Sequence, residues 1–445
     1  MIDFFSTLDG SLLPELLRYH EEAPMIFSSG LFFVLFILFL PIYGLLGLSK
    51  RTATLRIIYV VLFSLFFYYK SSGFYVLLLL LATTSDFLIA QALSHTPKGS
   101  PNRKRWVALS MIINLGILSY FKYFNFLLDL IVQAIAGIGG LMGMETASSL
   151  QWEPWDIFLP VGISFYTFQT MSYIADVYRG DIKPLKRWID YLFYVSFFPQ
   201  LVAGPIVRAK DFIPQIHRRP WVTRGEFGRG LFLILLGLFK KAVISDYISL
   251  NFVDRIFDAP TLYSGLENLM AVYGYALQIY CDFSGYSDMA IGIALFLGFR
   301  FNKNFDVPYT STNITEFWRR WHISLSTWLK DYLYIPLGGN RKGRIRTYIN
   351  LIITMLLGGL WHGAALRFIL WGGMHGIALA IHKVWCTLFY PAHKRRIKRN
   401  GIGKAIGGII TFSNEIPLAR RSEVSSPSTS FALLGFSSEP IALTW

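Results

Sequence analysis

Residues 25–48 form a run of 24 positions without a single charged side chain. A helix needs about 20 such residues to cross roughly 30 Å of hydrocarbon. Residues 58–69, 73–93 and 106–138 repeat the pattern, interrupted by Asp86 in the second of these and by Lys122 and Asp129 in the third. A water-soluble interior cannot absorb so many long apolar blocks. Only 16% of the 445 residues are charged, against about 25% in soluble domains. The chain is therefore read as an all-α, polytopic membrane protein. A cleaved signal peptide does not fit, because residues 1–24 carry Asp3, Asp9, Glu15, Glu21 and Glu22 against Arg18 alone, and signal peptides begin with a basic segment.

Loop charges then orient the chain. The acidic lead at 1–24 is placed outside. The basic loops at 50–56 and 98–105 are placed in the cytoplasm, because lysine and arginine accumulate in cytoplasmic loops. The net charge of +15 is read the same way, as membrane topology. No nucleic-acid partner is expected, since no zinc-finger spacing or helix-turn-helix pattern accompanies it. Residues 137–156 carry three acids and no base, which puts them outside again. The segment 157–175 returns the chain to the inner face. The stretch 191–207 is apolar enough to cross, yet the residues after it are strongly basic. Pro199, Gly204 and Pro205 also interrupt it. A re-entrant segment is expected there, with a cavity near residues 200–208, because irregular backbone at membrane depth must face protein or water. Residues 231–239 are too short to span alone, and 266–299 hold one or two passes. Residues 300–348 carry nine bases and three acids and are cytoplasmic. Residues 349–361 and 368–382 form a final pair. The total is about 8 to 10 passes. The expected organisation is an extracytoplasmic lead at 1–24, a membrane-embedded domain at 25–399, and a tail at 400–445, Ser- and Pro-rich over 411–445 and read as disordered or truncated.

Polar groups inside apolar surroundings are the candidates for chemistry, because each is costly in hydrocarbon. His362 follows two glycines in GGLWHG at 358–363, roughly 20 Å into the membrane if the segment from residue 349 is helical. A neutral imidazole there can accept a proton from a hydroxyl. The plainer reading is a histidine hydrogen-bonded between helices. His322 lies in FWRRWHIS at 317–324, which fits an interfacial helix or the wall of a site for an anionic donor; packing is the reading preferred from residues alone. His375 and His382 are seven apart and share a helical face. His382 is assigned to the interface, and His375 to packing with a cavity-lining role as the alternative. Asp282 and Asp288 are expected to cap broken helix ends or to bond the wall of the membrane domain. Gln169, Gln200 and Arg208 are further cavity candidates. The two cysteines, Cys281 and Cys386, support neither a disulfide framework nor a zinc cluster. His322 and His362 lack a third ligand at useful spacing, so no metal is expected.

Six segments in order carry a resemblance: LPVGISFYTFQ at 159–169, PQLVAGPI at 199–206, GYSDMAIG at 285–292, FWRRWHIS at 317–324, YIPLGG at 334–339 and LWHG at 360–363. Over about residues 25–382 the chain resembles the membrane-bound O-acyltransferase family, closest to its bacterial alginate O-acetyltransferase branch. The resemblance implies a helical membrane fold with re-entrant segments and a central tunnel. It implies His362 as the catalytic residue and His322 as a second catalytic histidine near the donor side. It further implies no tightly bound cofactor, with acetyl-CoA or another acyl thioester as the cytoplasmic donor. The acceptor would be an exported polysaccharide such as alginate. A periplasmic or membrane-tethered acetyltransferase would be the partner, in the bacterial inner membrane. Relatives of this branch continue with further membrane helices beyond the region of His382, and residues 400–445, whose apolar pieces are too short to span, cannot supply them. D-alanyl or other acyl transfer to an envelope polymer is the nearest alternative. A transporter of lipid-linked sugars is the next, and it would call for repeat symmetry that the sequence does not show.

Overall fold

A computed structural model describes residues 18–21, 24–142, 152–202 and 204–389. The tail expected at 400–445 and most of the lead at 1–24 lie outside the described residues. The described residues form helices and connecting loops, with no strand among them. In chain order the helices are α1 (Gly30–Gly47), α2 (Ala53–Ser72), α3 (Val76–His95), α4 (Pro101–Leu118), α5 (Phe124–Leu141), α6 (Ile163–Arg179), α7 (Trp188–Ser196) and α8 (Phe198–Leu201). They continue with α9 (Ala209–Ile216), α10 (Arg224–Leu238), α11 (Gly265–Phe296), α12 (Ile314–Arg320), α13 (Ile323–Leu329), α14 (Arg344–His362) and α15 (Leu366–Phe389). Shorter helical pieces fill 239–258.

Three stretches among the described residues are long and apolar enough to cross a membrane: Gly30–Gly47, Ala53–His95 and Pro101–Leu141. Their starts follow local chemistry. The Ser29 hydroxyl accepts from the Phe32 backbone N–H at 3.3 Å. Ser100 caps α4 in the same manner, with Pro101 at its first position, where the missing N–H costs nothing. A π turn at Ser119–Tyr123 links α4 to α5. Thr223 and Glu226 form a reciprocal cap on α10. The Thr223 backbone N–H, followed by the Arg300 guanidinium, holds the Glu226 carboxyl down to about 2.

The stretch 191–207 is broken where its prolines and glycine predict. Helix α7 ends at Ser196 and a single turn, α8, resumes at Phe198. Side chains satisfy the freed backbone groups: the Phe198 N–H donates to the Ser64 hydroxyl at 3.2 Å, and the Tyr194 hydroxyl donates to the Val207 carbonyl at 3.0 Å. Residues 190–202 are all buried. The break drives Phe198 into a nest of rings from α1 and α2, 5.0 Å from Phe63 and 5.9 Å from Phe67. Such aromatic contacts each contribute about 0.5–1.5 kcal/mol beyond area burial.

Residues 265–296 differ from expectation. They form one unbroken helix of 32 residues, α11, so Asp282 and Asp288 cap no broken ends. The segment holds no proline, and Ser264 with Glu267 caps its start. The carboxylates meet consecutive lysines of the π turn after α10 instead: Lys240 Nζ lies 2.6 Å from Asp288 and Lys241 Nζ lies 2.7 Å from Asp282. Helices α10 and α11 run antiparallel in backbone contact. A methyl group on Gly237 would stand 2.4 Å from the Gly285 carbonyl oxygen, and one on Gly292 would stand 2.6 Å from that of Gly230.

Candidate active site

His362 is the last residue of α14, which Gly363 ends in extended backbone. It keeps a partly accessible surface. Its ring lies 5.0 Å from that of Trp361 and 5.3 Å from that of Trp371 on α15. Glycines make this corner possible. A methyl group on Gly359 would stand 2.2 Å from the Phe368 carbonyl oxygen and 3.0 Å from the Gly372 Cα, so α14 and α15 touch through their main chains just before the histidine.

His322 occupies the junction between α12 and α13 and is 0% exposed. Its backbone is left-handed, with φ at 39°, a conformation that costs a non-glycine residue about 1–3 kcal/mol. Asn304 holds it there. The Asn304 carbonyl accepts from the Ile323 N–H at 2.8 Å, and its side-chain oxygen accepts from the Ser324 N–H and hydroxyl at 3.2 and 2.9 Å. The Asn304 amide in turn donates to the Ser287 hydroxyl of α11 at 3.0 Å. The imidazole stands edge-on to Phe283 at 4.7 Å and lies 6.1 Å from Trp361, ring centre to ring centre. The two histidines, 40 positions apart in sequence, thus both lie against one indole.

Among the described residues, neither ring nitrogen of His322 has a hydrogen-bond partner. The same holds for both polar atoms of the Gln169 carboxamide, which is 1% exposed, and for the indole N–H groups of Trp318 and Trp361. Native interiors leave few polar groups unpaired, and each such group costs about 1–3 kcal/mol. Gln169 sits one helical turn after Phe165 on α6, and Phe165 and Phe168 both pack on Trp361 at 5.6 and 5.3 Å. His322, His362 and the Phe165 and Phe168 rings of α6 thus share the Trp361 indole, while Trp318 packs on Trp371 and His375. This arrangement suits a small polar reactant: imidazole nitrogens to take or give a proton, and amide and indole N–H groups to meet a carbonyl oxygen.

The structure sorts the remaining candidates. His375 joins the cluster, 4.6 Å from Trp371 and 5.2 Å from Trp318. His382 lies apart, with its Nδ1 2.8 Å from the Thr315 hydroxyl and its Nε2 3.6 Å from Cys386 Sγ. Gln200 supports the α7–α8 break by donating to the Tyr194 carbonyl at 2.5 Å. Arg208 pairs with Asp331 at 2.5 Å and lines a cavity of about 550 Å³ with Pro205, Lys210, Arg218, Arg300 and Ser324. That cavity lies where the prolines and glycine of 199–205 point, and its rim is basic. A second cavity of about 490 Å³ is lined by Trp318, Arg319, Lys330, Asn340, Met355 and Lys383. Helix α13, which starts immediately after His322, contributes Ile323 and Thr327 to both. Sequence reasoning missed the tryptophans 318, 361 and 371 as the frame of the site. Their one signal was spacing: Trp361 immediately precedes His362, and Trp318 and Trp371 each stand four residues before a histidine.

A profile of the membrane-bound O-acyltransferase family matches residues 185–413. Among known proteins, the chain is 43% identical over 360 residues to the Pseudomonas syringae pv. tomato protein named "Probable alginate O-acetylase AlgI", covering 81% of this chain and 66% of that one. It is 43% identical over 363 residues to the protein of the same name from Pseudomonas putida, covering 81% and 71%. It is 36% identical over 423 residues to the peptidoglycan O-acetyltransferase of Helicobacter pylori, covering 87% and 75%. The chain thus spans about two thirds of the length of the first of these relatives. Family profile, relatives and helical architecture agree, and the chain belongs to the membrane-bound O-acyltransferase family.

Proposed function

We propose that this chain is an O-acyltransferase, crossing the bacterial inner membrane several times, that moves an acetyl group from a cytoplasmic thioester toward hydroxyls of an exported polysaccharide such as alginate. One observation carries the reading: a fully buried imidazole whose two nitrogens have no hydrogen-bond partner among the described residues, His322, and a partly accessible one, His362, both packed against Trp361. In this reading His362 takes the proton of the acceptor hydroxyl as its oxygen attacks the thioester carbonyl. The carbonyl oxygen then carries negative charge, which the N–H groups of His322, Gln169 and Trp361 are suited to meet. Collapse breaks the carbon–sulfur bond, and the leaving thiolate recovers the proton from His362. Acetyl-CoA is the donor of choice, and a periplasmic or membrane-tethered acetyltransferase is the partner that completes transfer outside. The O-acetylating relatives support acetyl over D-alanyl as cargo.

The test is the acetyl content of exported polymer from cells carrying His362→Ala at normal membrane levels. Positioned proton transfer contributes about 10²–10⁴ in rate, so acetylation should fall to background. Undiminished acetylation removes His362 from the mechanism. The mass added per hydroxyl separates acetyl from D-alanyl transfer.

A further inference from the structure

Lys122 sits midway along the apolar stretch Pro101–Leu141. An ionisable side chain at such a place is costly and marks a functional site by default. Lys122 takes part in no ion pair among the described residues. Its ammonium turns inward, donating to the Trp361 carbonyl at 2.5 Å and to the Ser164 hydroxyl at 3.4 Å. It also lies 5.6 Å from the centre of the Trp361 ring. The next residue, Tyr123, donates its hydroxyl to the Leu360 carbonyl at 2.8 Å.

Those two carbonyls belong to the last turn of α14, whose final C=O groups have no intrahelical donor. A positive charge there also complements the negative end of the helix dipole. Adjacent side chains on a regular helix diverge by about 100°, yet here both reach one target. They do so from the π turn at Ser119–Tyr123, a local widening that recurs at functional sites. The helix end held in this way is the one that carries His362.

We propose that Lys122 is a positioning residue for acyl transfer, capping the His362 helix through the Trp361 carbonyl and fixing the direction of the imidazole, with Tyr123 as its auxiliary. The inference rests on His362 as the base. A misplacement of 1 Å in a reacting group costs about 10²-fold in rate, so the clamp acts on turnover and leaves reactant binding alone.

The experiment uses the full chain in membrane vesicles from polymer-producing cells, with acetyl-CoA as donor and His362→Ala measured alongside. Lys122→Met should lower turnover at saturating donor about 10–100-fold, with KM for acetyl-CoA within about twofold of wild type. Lys122→Arg, which keeps a charged donor, should recover most of the loss. Tyr123→Phe should cost about 2–10-fold. A readout independent of turnover is the rate at which diethyl pyrocarbonate modifies His362, followed by mass spectrometry. That rate should change in Lys122→Met and return toward wild type in Lys122→Arg. Wild-type turnover in Lys122→Met while His362→Ala is inactive overturns this inference alone. So does a loss equal in Lys122→Met and Lys122→Arg, or one with unchanged His362 modification. An active His362→Ala overturns both readings.

Discussion

Two neighbouring glycines should behave in opposite ways. In Gly359→Ala the new methyl group would stand 2.2 Å from the Phe368 carbonyl oxygen, whereas real Cβ atoms essentially never come under 3.0 Å. The obstacle is main chain and cannot rotate aside, so α14 and α15 must part by about 0.8 Å or more, close to the 1 Å displacement that costs about 10²-fold in rate. His362 lies three residues further along the same helix and inherits the shift. Overpacking of this kind also destabilises by about 1–3 kcal/mol. In Gly358→Ala the methyl group would meet only the tip of the Leu329 side chain, at 3.2 Å, and a leucine methyl can give way. Both variants would be scored by acetyl content of exported polymer at matched membrane levels, and by thermal unfolding in detergent. Gly359→Ala should lose about 10²-fold in transfer and melt lower. Gly358→Ala should stay within about threefold of wild type. A Gly359→Ala protein as active and stable as its parent would refute the close contact between the two helices and the argument that this contact aims the histidine.

Asn304→Leu removes the acceptor that holds Ser324 and, through it, the left-handed turn at His322; it should destabilise by about 2–4 kcal/mol and lower acetylation, and wild-type acetylation at normal levels would count against a positioned His322. Asp282→Leu leaves the buried Lys241 with Asp246 as its remaining carboxylate partner and should cost about 1–3 kcal/mol, while adding Lys241→Met should restore much of it. Melting temperatures of the single and double variants would check this, and a double variant no better than the single would refute the pairing.

Much of the fold was legible because lipid leaves the backbone so few solutions. The apolar runs at 25–48, 58–93 and 106–138 became α1 to α5, and Pro199 with Gly204 and Pro205 foretold the break after Ser196. His362 and His322 could be picked out as polar residues in costly places. Their meeting around Trp361 could not, since it depends on α12, α14 and α15 converging. Lys122 looked like an isolated charge because its partner carbonyl is 239 positions away. Asp282 and Asp288 were misread for a related reason. A π turn delivers Lys240 and Lys241 to two faces of α11, and no periodicity in the chain announces it.

The paired glycines of α10 and α11 leave that hairpin with a single register. Gly230 faces Gly292 and Gly237 faces Gly285, so between the two helices no rotamer can adapt to an error in alignment. Sliding one helix by a residue would set Leu231 or Leu238 against main chain and pull both lysines off their carboxylates together. Length is therefore conserved by geometry inside these two helices. Any added or lost residue would have to be taken up in the connection between them, leaving α11 able to present Phe283 and Ser287 unchanged to the loop that carries His322.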